Sequence, residues 1–114
     1  MGAEQFVEFG SGKTMQDAFE KVREQALWEF GHGGYSGTIA EKGSVREIKM
    51  KIPQAMIDAR DGDLISAADD FAYYLMDIGI EDPSPNHWWD DKWGPCAGFH
   101  VKDDMYCFFG WASS

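Results

Sequence analysis

One segment, residues 14–42, constrains the fold most strongly, because a long amphipathic helix there runs into a glycine-rich loop. Thr14 is a suitable N-cap, and apolar residues follow it at helical spacing. The residues that predict one buried face are Met15, Ala18, Phe19, Val22, Ala26 and Phe30. Gly31 is then a typical C′ residue. Four glycines within seven residues indicate backbone that turns through positive φ, or that another group approaches closely.

The rest of the chain alternates between strand and helix patterns and predicts one α+β domain over residues 1–114. We expect a first strand over residues 4–9, a hairpin of residues 38–41 and 45–52, a short helix over 54–59, a helix ending at Gly79, and a hairpin of residues 96–102 and 105–111. A two-residue turn in the last hairpin would pair His100 with Cys107. The order β-α-β-β-α-β-β favours a largely antiparallel sheet with both long helices on one face.

Composition excludes several functional classes. No apolar run approaches the length of a membrane span, and the N-terminus has no signal-peptide pattern. Two cysteines are too few for a disulfide scaffold and fit a reducing compartment. We therefore expect an intracellular protein that has no membrane partner.

The negative charge is concentrated in the second half of the chain. Residues 1–52 hold 8 acids and 7 bases, a net of −1, whereas residues 53–114 hold 12 acids and 3 bases, a net of −9. This distribution argues against nucleic acid as a partner, because phosphate binding needs clustered Lys and Arg. It suits a protein partner with a basic surface, although acidic surfaces also simply keep proteins soluble. An acidic DNA mimic is a weaker alternative.

The glycine-rich loop is the first candidate binding site. Backbone N–H groups and hydroxyls there suit a phosphate or nucleotide, and a lysine follows. The candidate ligand-binding residues are His32, Gly33, Gly34, Tyr35, Ser36, Thr38 and Lys42. The loop lacks Walker A spacing and follows a helix instead of preceding one. A structural loop that returns the chain to the sheet is therefore the competing interpretation.

A tryptophan-rich run is the second candidate, and it suits partner recognition because Trp is enriched at binding hot spots. Its candidate contact residues are His87, Trp88, Trp89, Asp90, Asp91 and Trp93. The competing interpretation is that two of these rings close the edge of the core. Both hold if one ring points outward and two point inward.

Metal binding and nucleophilic catalysis find little support in the sequence. Cys96, His100 and Cys107, with His32 or His87 as a fourth ligand, lack the close Cys or His pairs of zinc sites. In the predicted hairpin, Cys96 lies roughly 13 Å along the strand from the partner of Cys107. Neither Cys107 with His100 nor Ser36 with His32 has a nucleophile elbow or an orienting third residue. We expect no metal and no cofactor, and a non-enzymatic role is favoured.

Three motifs together resemble a group of small hypothetical proteins encoded by tailed bacteriophages, particularly those of actinobacterial hosts. They are residues 31–42 (GHGGYSGTIAEK), 91–95 (DKWGP) and 108–113 (FFGWAS). The resemblance implies a phage origin and expression in the cytoplasm of a bacterial host. The group has no established activity, so the resemblance implies no catalytic residue.

The leading hypothesis from the sequence is therefore a phage-type accessory protein that binds a host or defence component. Its acidic second half and the tryptophan-rich run would form the contact surface. The alternative is a nucleotide-binding protein or small enzyme that uses residues 31–38. The sequence is compatible with a homodimer.

Overall fold

The computed structural model describes residues 2–30, 36–81 and 88–113, which are arranged on one four-stranded sheet. Its elements are β1 (Ala3–Ser11), α1 (Met15–Phe30), β2 (Val45–Glu47), α2 (Gln54–Ala59), α3 (Leu64–Glu81), β3 (Cys96–Lys102) and β4 (Met105–Ser113). Short 3₁₀ turns span Ile39–Glu41 and Trp88–Asp90. The expected α+β class is confirmed. None of the described helices combines the length and apolar character that a membrane crossing requires.

The helix ends follow the capping signals in the sequence. The Thr14 hydroxyl accepts a hydrogen bond from the Asp17 N–H at 3.1 Å, so the predicted N-cap of α1 is confirmed. At the start of α3, one carboxylate oxygen of Asp63 accepts from the N–H groups of Ile65 and Ser66. The bounds of α2 are those predicted, whereas α3 continues past its predicted end at Gly79 to residue 81.

The predicted hairpin of residues 38–41 and 45–52 is wrong. Residues 39–41 form a 3₁₀ turn, because the Thr38 hydroxyl accepts from the Ala40 N–H at 3.2 Å and caps it. Such local side-chain bonds compete with strand pairing. Strand β2 keeps only three residues and pairs in parallel with β3, which gives the sheet order β1-β4-β3-β2. The other two strand pairs are antiparallel, as expected.

The predicted register of the terminal hairpin is correct at the turn, where Lys102 lies opposite Met105, and wrong beyond it. His100 lies opposite Tyr106, and Phe99 lies opposite Cys107, because the pairing shifts by one residue between His100 and Lys102. Asp103 in the turn has a φ of 47°, and its carbonyl oxygen lies 2.6 Å from His100 Nε2. A one-residue shift moves side chains to the other face of the sheet. His100 and Cys107 are therefore not cross-strand neighbours.

The two long helices pack on opposite faces of the sheet, which corrects the expectation that they share one face. On the α1 face, the Phe108 ring packs edge-to-face against Phe19 at a centroid distance of 5.9 Å. On the α3 face, the next residue, Phe109, contacts the rings of Trp89 and Phe99, each at 6.0 Å. Successive strand residues point to opposite faces, so the central strand β4 is buried on both sides.

Candidate functional site

The side chain of Lys42 joins the two segments that the sequence singled out. It is 1% exposed, and its ammonium donates to three backbone carbonyl oxygens in residues 91–94. The Nζ–O distances are 3.2 Å to Asp91, 3.3 Å to Lys92 and 3.0 Å to Gly94. Lys42 therefore ties the end of the 3₁₀ turn at residues 39–41 to the loop that carries the tryptophans.

The path of Lys42 is set by its neighbours. Its N–H donates to the Ile39 carbonyl at 3.0 Å, and its own carbonyl accepts a hydrogen bond from Arg23 Nε. The side chain crosses β4 at Gly110, where an added Cβ would lie 3.7 Å from Lys42 Cε. Burial lowers the pKa of the Lys42 ammonium, and the Asp91 carboxylate partly offsets this effect. The three carbonyl acceptors supply the partners that a buried cation needs.

Residues 88–94, which we call the tryptophan loop, present their rings in different directions. Trp89 is 5% exposed, and its Nε1–H donates to the Leu75 carbonyl of α3 at 3.1 Å. Trp88 is half-buried, packs edge-to-face on Trp89 at 5.6 Å, and lies 4.8 Å beneath the Arg46 guanidinium. Trp93 is 66% exposed. Two rings thus close the core and one faces solvent.

The backbone beneath Trp93 is held by a local turn. One Asp91 carboxylate oxygen accepts from the Trp93 N–H at 2.9 Å, and the Asp91 carbonyl accepts from the Gly94 N–H at 3.0 Å. A Cβ at Gly94 would lie 3.2 Å from Asp91 Cβ, so glycine suits this close approach. Lys92 Nζ lies 5.3 Å from the centroid of the Trp93 ring. The exposed ring is therefore presented on a tied backbone, with the half-buried Asp90 and the exposed Asp91 nearby.

Part of the glycine-rich loop falls outside the described residues, namely Gly31, His32, Gly33, Gly34 and Tyr35, as does His87 of the second candidate site. The described part is docked on the sheet. Gly37 has a φ of 71°, and its N–H donates to the Ser113 carbonyl at 2.8 Å. A Cβ there would lie 2.5 Å from a Glu4 carboxylate oxygen, a contact that the flexible Glu4 side chain can relieve, so the positive φ is the reason that glycine is favoured here.

The predicted anion ligands in the described part of this loop are engaged inside the fold. The Ser36 hydroxyl donates to Glu41 Oε2 at 2.6 Å and lies 2.8 Å from the Thr38 hydroxyl. The Ser36 N–H donates to the same carboxylate oxygen at 3.1 Å. A phosphate placed here would meet the Glu41 carboxylate, and the Lys42 ammonium points to the tryptophan loop instead. Ligand binding by residues 31–38 stays a prediction, without support from these contacts.

The two cysteines lie on opposite faces of the sheet. Cys96 belongs to the cluster under α1 and Cys107 to the cluster under α3, and both are buried. Burial raises the pKa of both thiols. Within residues 2–30, 36–81 and 88–113, no three His, Cys, Asp or Glu side chains are grouped to hold a metal ion.

We expect both thiols to be inert in the folded protein, because a buried protonated thiol is a poor nucleophile. Iodoacetamide at pH 8 should alkylate Cys96 and Cys107 at least about a hundredfold more slowly in buffer than in guanidinium chloride. Mass spectrometry of timed samples gives the two rates. Rapid labelling of either cysteine in buffer would contradict the burial described here.

A pair of carboxylates lies between β1 and α1. Burial raises the pKa of the Glu8 carboxyl, and the nearby Glu29 carboxylate raises it further. The folded protein thus binds this proton more tightly than the unfolded chain does. Ionised Glu8 therefore lowers the free energy of unfolding at pH values above its raised pKa, and this effect disappears below the unfolded pKa.

We accordingly expect Glu8→Gln to stabilise the protein at pH 7, by about 1 kcal/mol or less because the site is partly solvated. Urea denaturation at pH 7 and at pH 3.5 measures the difference, which should vanish at the lower pH. Glu24→Gln, at an exposed position on α1, is the matched control. A loss of stability in the Glu8 variant at pH 7 would show that the ionised carboxylate is stabilising.

Sequence reasoning missed Arg46 and the role of Lys42. Arg46 covers the ring of Trp88 from β2, yet no spacing in the sequence relates residues 46 and 88. The sequence predicts that Lys42 binds an anion, whereas its ammonium binds backbone carbonyl oxygens in the structure. Comparison of the chain with models of protein families, with curated proteins and with solved structures gives no match.

Proposed function

We propose that this protein acts by binding another protein, with Trp93 and the acidic residues near it in the tryptophan loop as the contact surface. The observation that supports this most strongly is the exposed Trp93 ring on a backbone tied down by Lys42. Large aromatic side chains are typical binding hot spots, and a backbone already ordered before binding loses less entropy in the complex.

The charge around Trp93 indicates the kind of partner. Asp90 and Asp91 outnumber Lys92, which lies over the ring, and the second half of the chain carries a net charge of −9, from 12 acids and 3 bases in residues 53–114. A basic surface on the partner would be complementary and would speed association at low ionic strength. The resemblance to small bacteriophage proteins suggests a host or defence component of a bacterium as that partner, and a non-enzymatic role in the host cytoplasm.

The test is affinity capture from a bacterial lysate, followed by a binding titration with any purified partner. We expect Trp93→Ala to weaken binding at least about thirtyfold, the loss typical of a hot-spot aromatic residue. Trp28→Ala is the matched control, since Trp28 is 85% exposed on α1 and has no part in the proposed surface. The affinity should also fall as salt is raised, since the proposed contact pairs opposite charges.

Full retention of the captured partner by Trp93→Ala would contradict the proposal. Loss of the partner in Trp28→Ala alone would move the contact to α1. The Trp93 ring is 66% exposed and lies beneath Lys92, so its removal should change the free energy of unfolding by no more than about 1 kcal/mol. That measurement separates lost binding from lost folding.

A further inference from the structure

A groove on the α3 side of the sheet lies outside the proposed contact surface. It has a volume of about 530 Å³ and runs between residues 47–52 and the start of α2 and α3. The groove exists because the chain leaves the sheet after Ile48, whose N–H still donates to the Gly98 carbonyl at 2.9 Å. Val101, which lies where the pairing of β3 with β4 shifts by one residue, lines the opposite wall.

The wall of the groove is mainly apolar. Its apolar lining consists of Ile48, Met50, Ile52, Ile57, Leu64 and Val101. Of these, Ile48 belongs to the buried core, whereas Met50 is 48% exposed. The volume falls within the usual range for small-molecule sites, which are lined largely by apolar side chains and a few polar ones.

The charged residues that line the groove are Lys49, Lys51 and a single acidic residue, Glu47, and all three are exposed. Gln54 and His100 add polar groups, with His100 Nε2 already 2.6 Å from the Asp103 carbonyl oxygen. Two lysines against one glutamate make the charge of the lining residues positive in a chain whose net charge is −10. Apolar walls beside paired cations suit a ligand that has an anionic end and an apolar body.

We propose that this groove binds a soluble small molecule that carries a carboxylate or phosphate on an apolar body. The site goes beyond the proposed protein contact and does not depend on it. An added peptide strand fits less well, because β2 has only three residues to offer for main-chain pairing. A membrane surface also fits less well, since attraction to anionic lipid needs a larger cluster of cations and this protein is strongly acidic.

The test uses the fluorescent aryl sulfonate ANS as an apolar anion, with octanoate and octanol as competitors. We expect one saturable ANS site on the folded protein, displaced by octanoate at a concentration at least about tenfold below that of octanol, because only octanoate can accept a charge-assisted hydrogen bond from a lysine. The double variant Lys49→Gln/Lys51→Gln should weaken octanoate binding by at least about tenfold for the same reason. Met50→Gln should weaken both competitors by removing apolar contact at an exposed position.

The matched control is Lys13→Gln/Lys21→Gln, which makes the same change in net charge at two exposed positions away from the groove. It should bind octanoate as wild type does. The backbone NMR signals that shift on titration should be those of residues 47–52 and 98–102.

Four results would overturn the proposal. They are the absence of saturable binding, equal affinity in both double variants, equal displacement by inorganic phosphate and octanoate, and binding only to vesicles of anionic phospholipid. The third would reveal a simple anion patch and the fourth a membrane contact.

Discussion

Replacing Lys42 with methionine is expected to lower the free energy of unfolding by about 2–4 kcal/mol, although methionine preserves most of the apolar stem. The three carbonyl oxygens that accept hydrogen bonds from the ammonium would lose their donor. Each poorly solvated acceptor left without a donor lowers the free energy of unfolding by about 1–3 kcal/mol. Two effects reduce the sum. Removal of a buried charge recovers its desolvation cost, and water can reach carbonyls near the half-buried Lys92 and Gly94.

Urea denaturation followed by circular dichroism measures this loss. Lys13→Met is the matched control, because Lys13 is exposed and its replacement should change stability by no more than about 0.5 kcal/mol. A loss below about 1 kcal/mol in the Lys42 variant would show that the three contacts contribute little net stability.

The second large effect concerns two consecutive residues of β4. We expect Phe108→Ala and Phe109→Ala each to destabilise the protein by about 3–5 kcal/mol, because both side chains are fully buried and each removal leaves a cavity. If both long helices lay on one face, one of these adjacent side chains would point to solvent and its removal would cost little.

Denaturant titration of both variants therefore directly tests whether α1 and α3 cover opposite faces of the sheet. Tyr73→Ala, at a position on α3 that is 40% exposed, provides the aromatic control and should cost less than about 1 kcal/mol. A small effect for either Phe108 or Phe109 alone would support helices on a single face, as first expected from the sequence.

Local signals predicted much of the secondary structure. Thr14 marks the start of α1 with the side-chain cap that the structure contains, and α2 spans the predicted residues 54–59. These features depend on neighbours within four residues of the chain, so the local sequence suffices to determine them. The end of α3 was less predictable, since Gly79 permits a helix end without requiring one.

The arrangement of the helices depended on long-range packing. The run Cys107-Phe108-Phe109 is apolar at every position, which indicates a strand buried on both faces. The prediction that both helices share one face followed instead the more common two-layer arrangement of antiparallel sheets. The parallel pairing of β2 with β3 had no comparable local signal, because three residues are too few to show a period.

For the candidate sites, too, the local features were predictable and the long-range contacts were not. Tryptophan enrichment over six residues indicated an exposed ring, but the identity of that ring depends on α3, whose Leu75 carbonyl binds the Trp89 indole. The contact between Lys42 and the tryptophan loop spans about fifty residues of sequence, from residue 42 to residues 91–94. No sequence pattern relates residues that far apart. The sequence therefore predicts an anion as the partner of Lys42, whereas the structure has backbone carbonyl oxygens there.

We propose that Lys42 holds the tryptophan loop rigid and thereby presents Trp93 for binding. Backbone ¹⁵N relaxation of residues 88–94 tests it most directly, with wild type and Lys42→Met measured side by side. We expect order parameters of about 0.85 in the wild-type loop and clearly lower values in the variant. Values below about 0.6 in the wild-type protein, or no change on substitution, would contradict it.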